Sequence, residues 1–155
     1  MECTKNEFFE LLKYSNELKR NKKSWFEANS EISDKFLNIF VVIERNFHYS
    51  QKQEYIQLAK EFLDDQITAE DFSDNFMIIY ERISDEFTKL QIQESVKLWD
   101  LLILNPDRSD LGELLSYIYG TSDSYSPDPE VNSFNIDEKE LKDCAKKLLL
   151  ELDKE

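Results

Sequence analysis

The hydrophobic positions between Tyr55 and Leu90 recur with the period of an amphipathic helix, twice in succession. The apolar residues of the two runs are Tyr55, Leu58, Ala59, Phe62 and Leu63, then Phe72, Phe76, Ile79, Tyr80, Ile83, Phe87 and Leu90. Between the runs, Thr68 is followed three positions later by Asp71, which is the spacing of a reciprocal helix cap. The pattern predicts a helical hairpin whose two apolar stripes must be covered by other helices.

Further helices are predicted on both sides of this hairpin. Thr4 with Glu7 has capping-box spacing at the start of a first helix, and a short connection with Trp25 and Phe26 leads to a second over about residues 30–48. These two segments supply apolar faces that can cover the hairpin.

The C-terminal part of the chain adds three more segments. A helix is predicted through residue 104, where Asn105-Pro106-Asp107 stops it because proline has no N–H to donate. A short helix over about residues 110–119 ends at Gly120, and a last helix begins at Asp137, with Glu140 completing a capping box. Residues 121–136, between these two, are too polar and too long for a plain connector.

The composition fits an all-α protein made of one domain. Only 2 glycines and 3 prolines occur among 155 residues, and 41% of the residues are hydrophobic. We therefore predict a single domain over residues 1–155, an antiparallel bundle of about six or seven helices with one long acidic loop before the last helix. Cys3 and Cys144 lack metal-like spacing and the opening residues lack a signal-peptide pattern, so we expect free thiols and a cytoplasmic location.

The charge is concentrated in one part of the chain. Residues 1–60 carry nine acids against ten bases, whereas residues 61–155 carry 24 acids against nine bases, and the net charge is -14. Such a field repels nucleic acid and anionic lipid and attracts a basic partner. Acidity that serves only solubility is the alternative interpretation of the same numbers.

The clustering is strongest over residues 109–138, where seven acids occur without a single lysine or arginine. Tyrosines and Phe134 lie between the acids, and Pro127 with Pro129 stiffens the segment. Carboxylates and tyrosines on a pre-shaped loop are suited to bind basic side chains of a partner. The candidate partner-binding residues are Glu113, Tyr119, Asp123, Tyr125, Asp128, Glu130 and Asp137. Asp137 is also explained by helix capping, and a solvated loop that merely makes turns is the competing interpretation.

Motifs for catalysis and for metal binding are absent from the sequence. His48 is the only histidine and follows an apolar helix face, so packing is a better explanation for it than base catalysis. The loop acids lack the order of a calcium-binding EF-hand, and no phosphate-binding loop or nucleophile elbow occurs. We expect no enzyme, no cofactor and no metal; a small hydrolase that uses the loop acids is kept as a third hypothesis.

Four short stretches resemble the colicin D immunity protein family. They are Leu58-Ala-Lys-Glu-Phe-Leu, Ile67-Thr-Ala-Glu-Asp-Phe-Ser, Tyr125-Ser-Pro-Asp and Phe134-Asn-Ile-Asp. The resemblance covers residues 54–155, so residues 1–50 would be an N-terminal helical extension that short family members lack. The family uses acids of the loop against a toxin's basic active-site cleft. By that resemblance Asp128 is the acid after the proline and Asp123 the acid before the aromatic residue.

The resemblance implies an immunity protein that neutralises a cognate nuclease toxin, a tRNA anticodon nuclease, in a bacteriocin or contact-dependent inhibition system. One position departs from the family: Ser126 stands where an acid precedes the proline, and Glu130 is the candidate replacement. The implied partner is the basic C-terminal domain of the toxin, with no direct binding of nucleic acid or membrane, and a monomer when free. An acidic DNA mimic or adaptor that binds another basic bacterial or phage protein is the alternative.

Overall fold

The computed structural model describes residues 3–23, 30–93, 95–103 and 108–154. Within these residues it contains seven helices and no strand, which confirms the all-α prediction. The helices are α1 (Lys5–Arg20), α2 (Ser30–Ser50), α3 (Lys52–Leu63), α4 (Ala69–Gln93), α5 (Ser95–Ile103), α6 (Ser109–Ser124) and α7 (Glu138–Leu152). The predicted helix stop at residues 105–107 and the connection with Trp25 and Phe26 lie outside the described residues.

Two helix starts are fixed by the reciprocal caps that the sequence predicts. The Thr4 backbone N–H donates to the Glu7 carboxylate at 2.9 Å, and the Glu7 N–H donates back to Thr4 Oγ1 at 3.2 Å. Thr68 and Asp71 make the same pair of bonds, at 3.2 and 3.1 Å. Each pair satisfies backbone donors that the first turn of a helix leaves without a partner. The hairpin turn before α4 is therefore determined by local sequence.

Four helices form the central bundle. Helix α3 packs against α4 and α7, and α6 packs against the same two helices from the other side. The hairpin itself is joined by the stacked rings of Phe62 and Phe72, whose centroids are 4.6 Å apart. Helix α2 lies across α4, α5 and α6, and α1 contacts α5. One continuous cluster of buried apolar side chains runs from Phe8 in α1 to Leu152 in α7.

The predicted C-terminal end of the sixth helix was wrong. Gly120 lies inside α6, which continues to Ser124, and the Tyr125 N–H donates to the Thr121 carbonyl at 3.0 Å. Thr121 and Ser122 are buried, so packing holds a last turn that glycine's helix propensity disfavours by only about 1 kcal/mol. The connection to α7 therefore spans residues 125–137 and not 121–136, and Asp123 lies on a helix and not in a loop. We call residues 125–137 the connecting loop.

Candidate functional site

The seven predicted partner-binding residues lie in three places. Three of them are on α6, three are in the first half of the connecting loop, and the last ends that loop and caps α7: Glu113, Tyr119 and Asp123; Tyr125, Asp128 and Glu130; and Asp137. All five carboxylates are exposed, whereas both tyrosines are half-buried. Each place positions its side chains by different contacts.

Tyr119 connects α6 to an acid of α4 that the sequence did not single out. Its hydroxyl donates a hydrogen bond to the Glu81 carboxylate, and its ring lies 5.0 Å from that of Tyr80. The hydrogen bond to Glu81 raises the pKa of Tyr119, and the charge of Asp123, one turn further along α6, adds to the rise. Glu81 and Asp123 therefore form one exposed acidic cluster around the half-buried Tyr119 phenol.

Glu113 has different neighbours. It lines a cavity of about 380 Å³ between α2, α4 and α6, together with Glu44, Arg45, His48 and Tyr80. Because Arg45 places a cation in the same wall, this cavity has mixed charge. Glu113 therefore lies in different surroundings from Asp123, and Tyr80 borders both: it lines the cavity, and its ring contacts that of Tyr119.

His48 belongs to a buried polar network next to this cavity. Its Nδ1 is 2.8 Å from the Tyr55 hydroxyl, its Nε2 is 3.3 Å from Ser84 Oγ, and its ring stacks on Tyr80 with centroids 4.8 Å apart. Burial lowers the pKa of His48 to about 4, so the imidazole is neutral at pH 7. Both ring nitrogens have partners within the protein, which agrees with the interpretation of His48 as a packing residue.

Tyr125 joins the connecting loop to the ends of two helices. Burial is the main reason why the pKa of its phenol is raised, and the charges of Glu138 and Glu70 raise it further. Glu138 begins α7 and Glu70 lies in the first turn of α4, so acids from two helices act on this tyrosine. The negative surface therefore includes residues outside the segment that the sequence indicated.

The connecting loop is held in shape by Asn132, which is only 7% exposed. Its amide nitrogen donates to the carbonyls of Ser126, at 3.2 Å, and Ile136, and its Oδ1 accepts from the Ile136 N–H at 3.0 Å. One side chain thus ties both ends of the loop together. Asn135 adds a left-handed backbone conformation, with φ of 52°, that asparagine tolerates better than most residues.

Asp128 helps to build the turn on which it lies. Its Oδ1 accepts from the Glu130 N–H at 3.0 Å, and its own N–H donates to Ser126 Oγ at 3.2 Å. The bond to Glu130 makes an Asx turn, which is what the competing interpretation, a solvated loop that merely makes turns, expects. The Asp128 and Glu130 side chains nevertheless remain exposed, so a turn function and a binding function are compatible.

Asp137 caps α7, as its position predicts. Its Oδ1 accepts from the Glu140 N–H at 2.8 Å. Glu140 does not complete the predicted capping box; its carboxylate accepts a hydrogen bond from the Tyr117 hydroxyl at 3.0 Å. The pKa of Tyr117 is raised, mainly by this bond. The start of α7 is thereby linked to the exposed side of α6.

Two classes of site find no support in the part of the chain that the structure describes. No group of three or more His, Cys, Asp or Glu side chains is arranged to hold a metal ion there. Among the described helices, none combines the length and the apolar character that crossing a membrane requires.

A family model supplies the identity that the geometry alone does not. The model for bacterial self-protective colicin-like immunity matches residues 49–152, which include α3 to α7 and every candidate binding residue named above. The family is not one of enzymes. No curated protein and no solved structure gives a match to the chain. The chain belongs to the family of bacterial self-protective colicin-like immunity proteins, which neutralise a toxin by binding it.

Proposed function

We propose that the toxin is a nuclease, a tRNA anticodon nuclease of a bacteriocin or contact-dependent inhibition system, and that this protein occludes its basic active site with an acidic surface. The observation that carries the proposal is the stretch 109–138, which has seven acids and no base and keeps five predicted carboxylates exposed. The site of action is the bacterial cytoplasm, where tRNA is the substrate to be protected.

The chemistry of the proposal is charge mimicry. A tRNase cleft must hold phosphates with arginine, lysine and histidine side chains, which carboxylates also bind by charge-assisted hydrogen bonds. Asp123 with Glu81 offers one pair of acids beside Tyr119, and Asp128 with Glu130 offers a second pair on the connecting loop. Acids fixed on a helix and on a clamped loop lose little conformational entropy on binding.

The net charge of -14 also affects the rate of association. Opposite fields steer two proteins together and raise the association rate constant, and salt screens this effect. We expect association with the toxin domain to slow steeply as ionic strength rises, while dissociation changes less. Added tRNA should compete with the immunity protein for the same cleft.

The first prediction concerns the acids themselves. The combined substitution Asp123→Asn, Asp128→Asn and Glu130→Gln removes three charges at little change in shape. If these acids meet buried cations, affinity should fall by several kcal/mol, because losing one partner of a buried charge pair costs about 2–5 kcal/mol. We expect the toxin gene to be the adjoining open reading frame, and the measurement is titration calorimetry against the inactivated C-terminal domain of its product, with tRNA protection as a second readout.

A matched control neutralises three acids of the N-terminal helices, Glu10→Gln, Glu17→Gln and Asp34→Asn. It makes the net charge less negative by the same amount and should affect only the salt-dependent association rate. Equal affinities of the first triple variant and of the unmodified protein would contradict the assignment of the loop acids. A partner that handles DNA and has no nuclease activity would favour the DNA-mimic alternative.

A further inference from the structure

The connecting loop displays two large apolar side chains to solvent. Val131 is 65% exposed and Phe134 is 74% exposed, which makes Phe134 the most exposed large apolar side chain among the described residues. Their neighbours in the chain include the exposed acids Asp128 and Glu130. Ile136, two positions after Phe134, supplies the apolar residue by which the loop packs on the core, so the fold does not need Phe134 for that purpose.

The loop backbone keeps these two side chains outside. Asn132 lies between them and, through its three hydrogen bonds to Ser126 and Ile136, fixes the backbone on both sides. The N–H groups of Val131 and Asn132 both donate to the Asp128 carbonyl, at 3.1 and 3.0 Å, which closes a tight turn. A loop that is tied in this way cannot easily fold Phe134 back onto the bundle.

We propose that Val131 and Phe134 are the apolar anchor of the interface with the toxin, and that Asn132 positions them before binding. The inference rests on the proposed function and adds what the partner must offer: an apolar hollow bordered by lysine or arginine side chains. Charge complementarity selects this occupant, because the anchor stands among carboxylates on a protein of net charge -14. Binding energy concentrates in buried aromatic anchors that a ring of polar contacts shields from water.

The acids and the anchor should contribute to different kinetic steps. Long-range attraction by carboxylates acts mainly on association, whereas burial of an aromatic side chain slows dissociation. The clamp by Asn132 contributes by lowering the ordering cost, since the loop already has its bound shape. The two sets of substitutions therefore give distinguishable results.

The experiment measures binding kinetics of the full chain with the inactivated C-terminal domain of the toxin encoded in the adjoining open reading frame. The double variant Val131→Ala and Phe134→Ala should raise Kd at least about 30-fold, mostly through faster dissociation, with the salt dependence of association unchanged. The control variant Ile78→Ala and Leu150→Ala removes side chains that are 59% and 70% exposed on α4 and α7. It should change Kd by less than about threefold.

Asn132→Ala tests the positioning role separately. It should speed hydrogen exchange at the Ile136 N–H, which loses its acceptor, and it should slow association because the loop must order during binding. Asn132→Asp keeps the acceptor for the Ile136 N–H and should restore part of the exchange protection. Unchanged exchange at Ile136 in Asn132→Ala would overturn the clamp even if this variant is less stable overall.

The outcomes separate the inference from the proposed function. If the double variant binds as tightly as the unmodified protein while the acid triple variant binds weakly, the anchor is overturned and the proposed function stands. If neither variant loses affinity, both are overturned. Equal losses for the double variant and for the Ile78 and Leu150 control would also overturn the anchor, because the effect would not be specific to the loop.

Discussion

At the scale of single residues, the interior of this bundle is organised by a few polar side chains with defined partners. His48 is buried between α3 and α4, bonded to Tyr55 and Ser84 and stacked on Tyr80. Burial also raises the pKa of Glu44, whose carboxylate lies 4.0 Å from His48 Nε2. Such a network stabilises the fold while the imidazole stays neutral and becomes costly when it takes up a proton.

The pH dependence of stability follows from His48. Its pKa is about 4 in the folded protein and about 6.5 in an unfolded chain, so the unfolded state binds the proton first as pH falls. The contribution of neutral His48 to the free energy of unfolding is fully present above pH 6.5. It is lost progressively as pH falls to 4, by about 3 kcal/mol in all. His48→Gln lacks this titration. As pH falls over this range, the unmodified protein should therefore lose unfolding free energy relative to His48→Gln, and the gap between the two proteins should change by about the same amount.

Urea denaturation at several pH values measures this difference. Comparing the two proteins at each pH removes the effects of the many carboxylates, which titrate in both. A gap in unfolding free energy that stays constant from pH 7 to pH 4 would show that His48 is not held neutral by burial.

At the scale of elements, α6 is the helix on which the site depends, and it contains both glycines of the chain. Gly112 leaves room for the Arg45 side chain of α2, because a Cβ at this position would overlap Arg45 Nε and lie 2.9 Å from its Cδ. Gly120 has no such neighbour: no atom lies within 4 Å of where its Cβ would be. The two positions therefore differ in their tolerance of a larger side chain, although both lie in the same helix.

The two glycines predict opposite responses to alanine. Gly120→Ala should raise the free energy of unfolding by about 0.5–1 kcal/mol, because alanine loses less backbone entropy in a helix and meets open space. Gly112→Ala should lower it, because the Arg45 side chain must move from α6. Thermal unfolding of both variants measures the difference. Destabilisation by Gly120→Ala would show that α6 does not continue through residue 120 in solution.

At the scale of the whole molecule, the N-terminal helices cover part of the matched region. Phe40 and Phe47 of α2 lie 6.4 and 5.9 Å, between ring centroids, from Phe87 of α4. Phe8 of α1 lies 5.5 Å from Trp99 of α5. We propose that residues 1–50 are an extension of the family bundle whose role is to bury these aromatic side chains.

Deletion of residues 1–50 tests this role. The deletion exposes the aromatic side chains of α4 and α5 to water, so we expect insoluble or aggregated protein and no selective binding defect. Solubility after expression and, for any soluble fraction, far-UV circular dichroism are the measurements. A folded, soluble truncated protein that fails to bind the toxin domain would instead assign the N-terminal helices to the interface.

The sequence by itself determined the features that depend on residues a few positions apart in the chain. Periodic apolar positions and the Thr4 and Thr68 caps specify helices and their starts, because their hydrogen bonds join neighbours in the chain. The concentration of acids over residues 109–138 is likewise a property of composition. Both could be predicted without any knowledge of packing.

Only the tertiary structure decided the contacts that join distant parts of the chain. Burial of the last turn of α6 extended it past Gly120, and the partner of Tyr119 is Glu81, 38 positions away. In the loop, the choice of Asn132 as the clamp depends on which asparagine lies inside, and composition cannot show this. Sequence patterns specify local hydrogen bonding, whereas the neighbours of a binding residue follow from how helices pack.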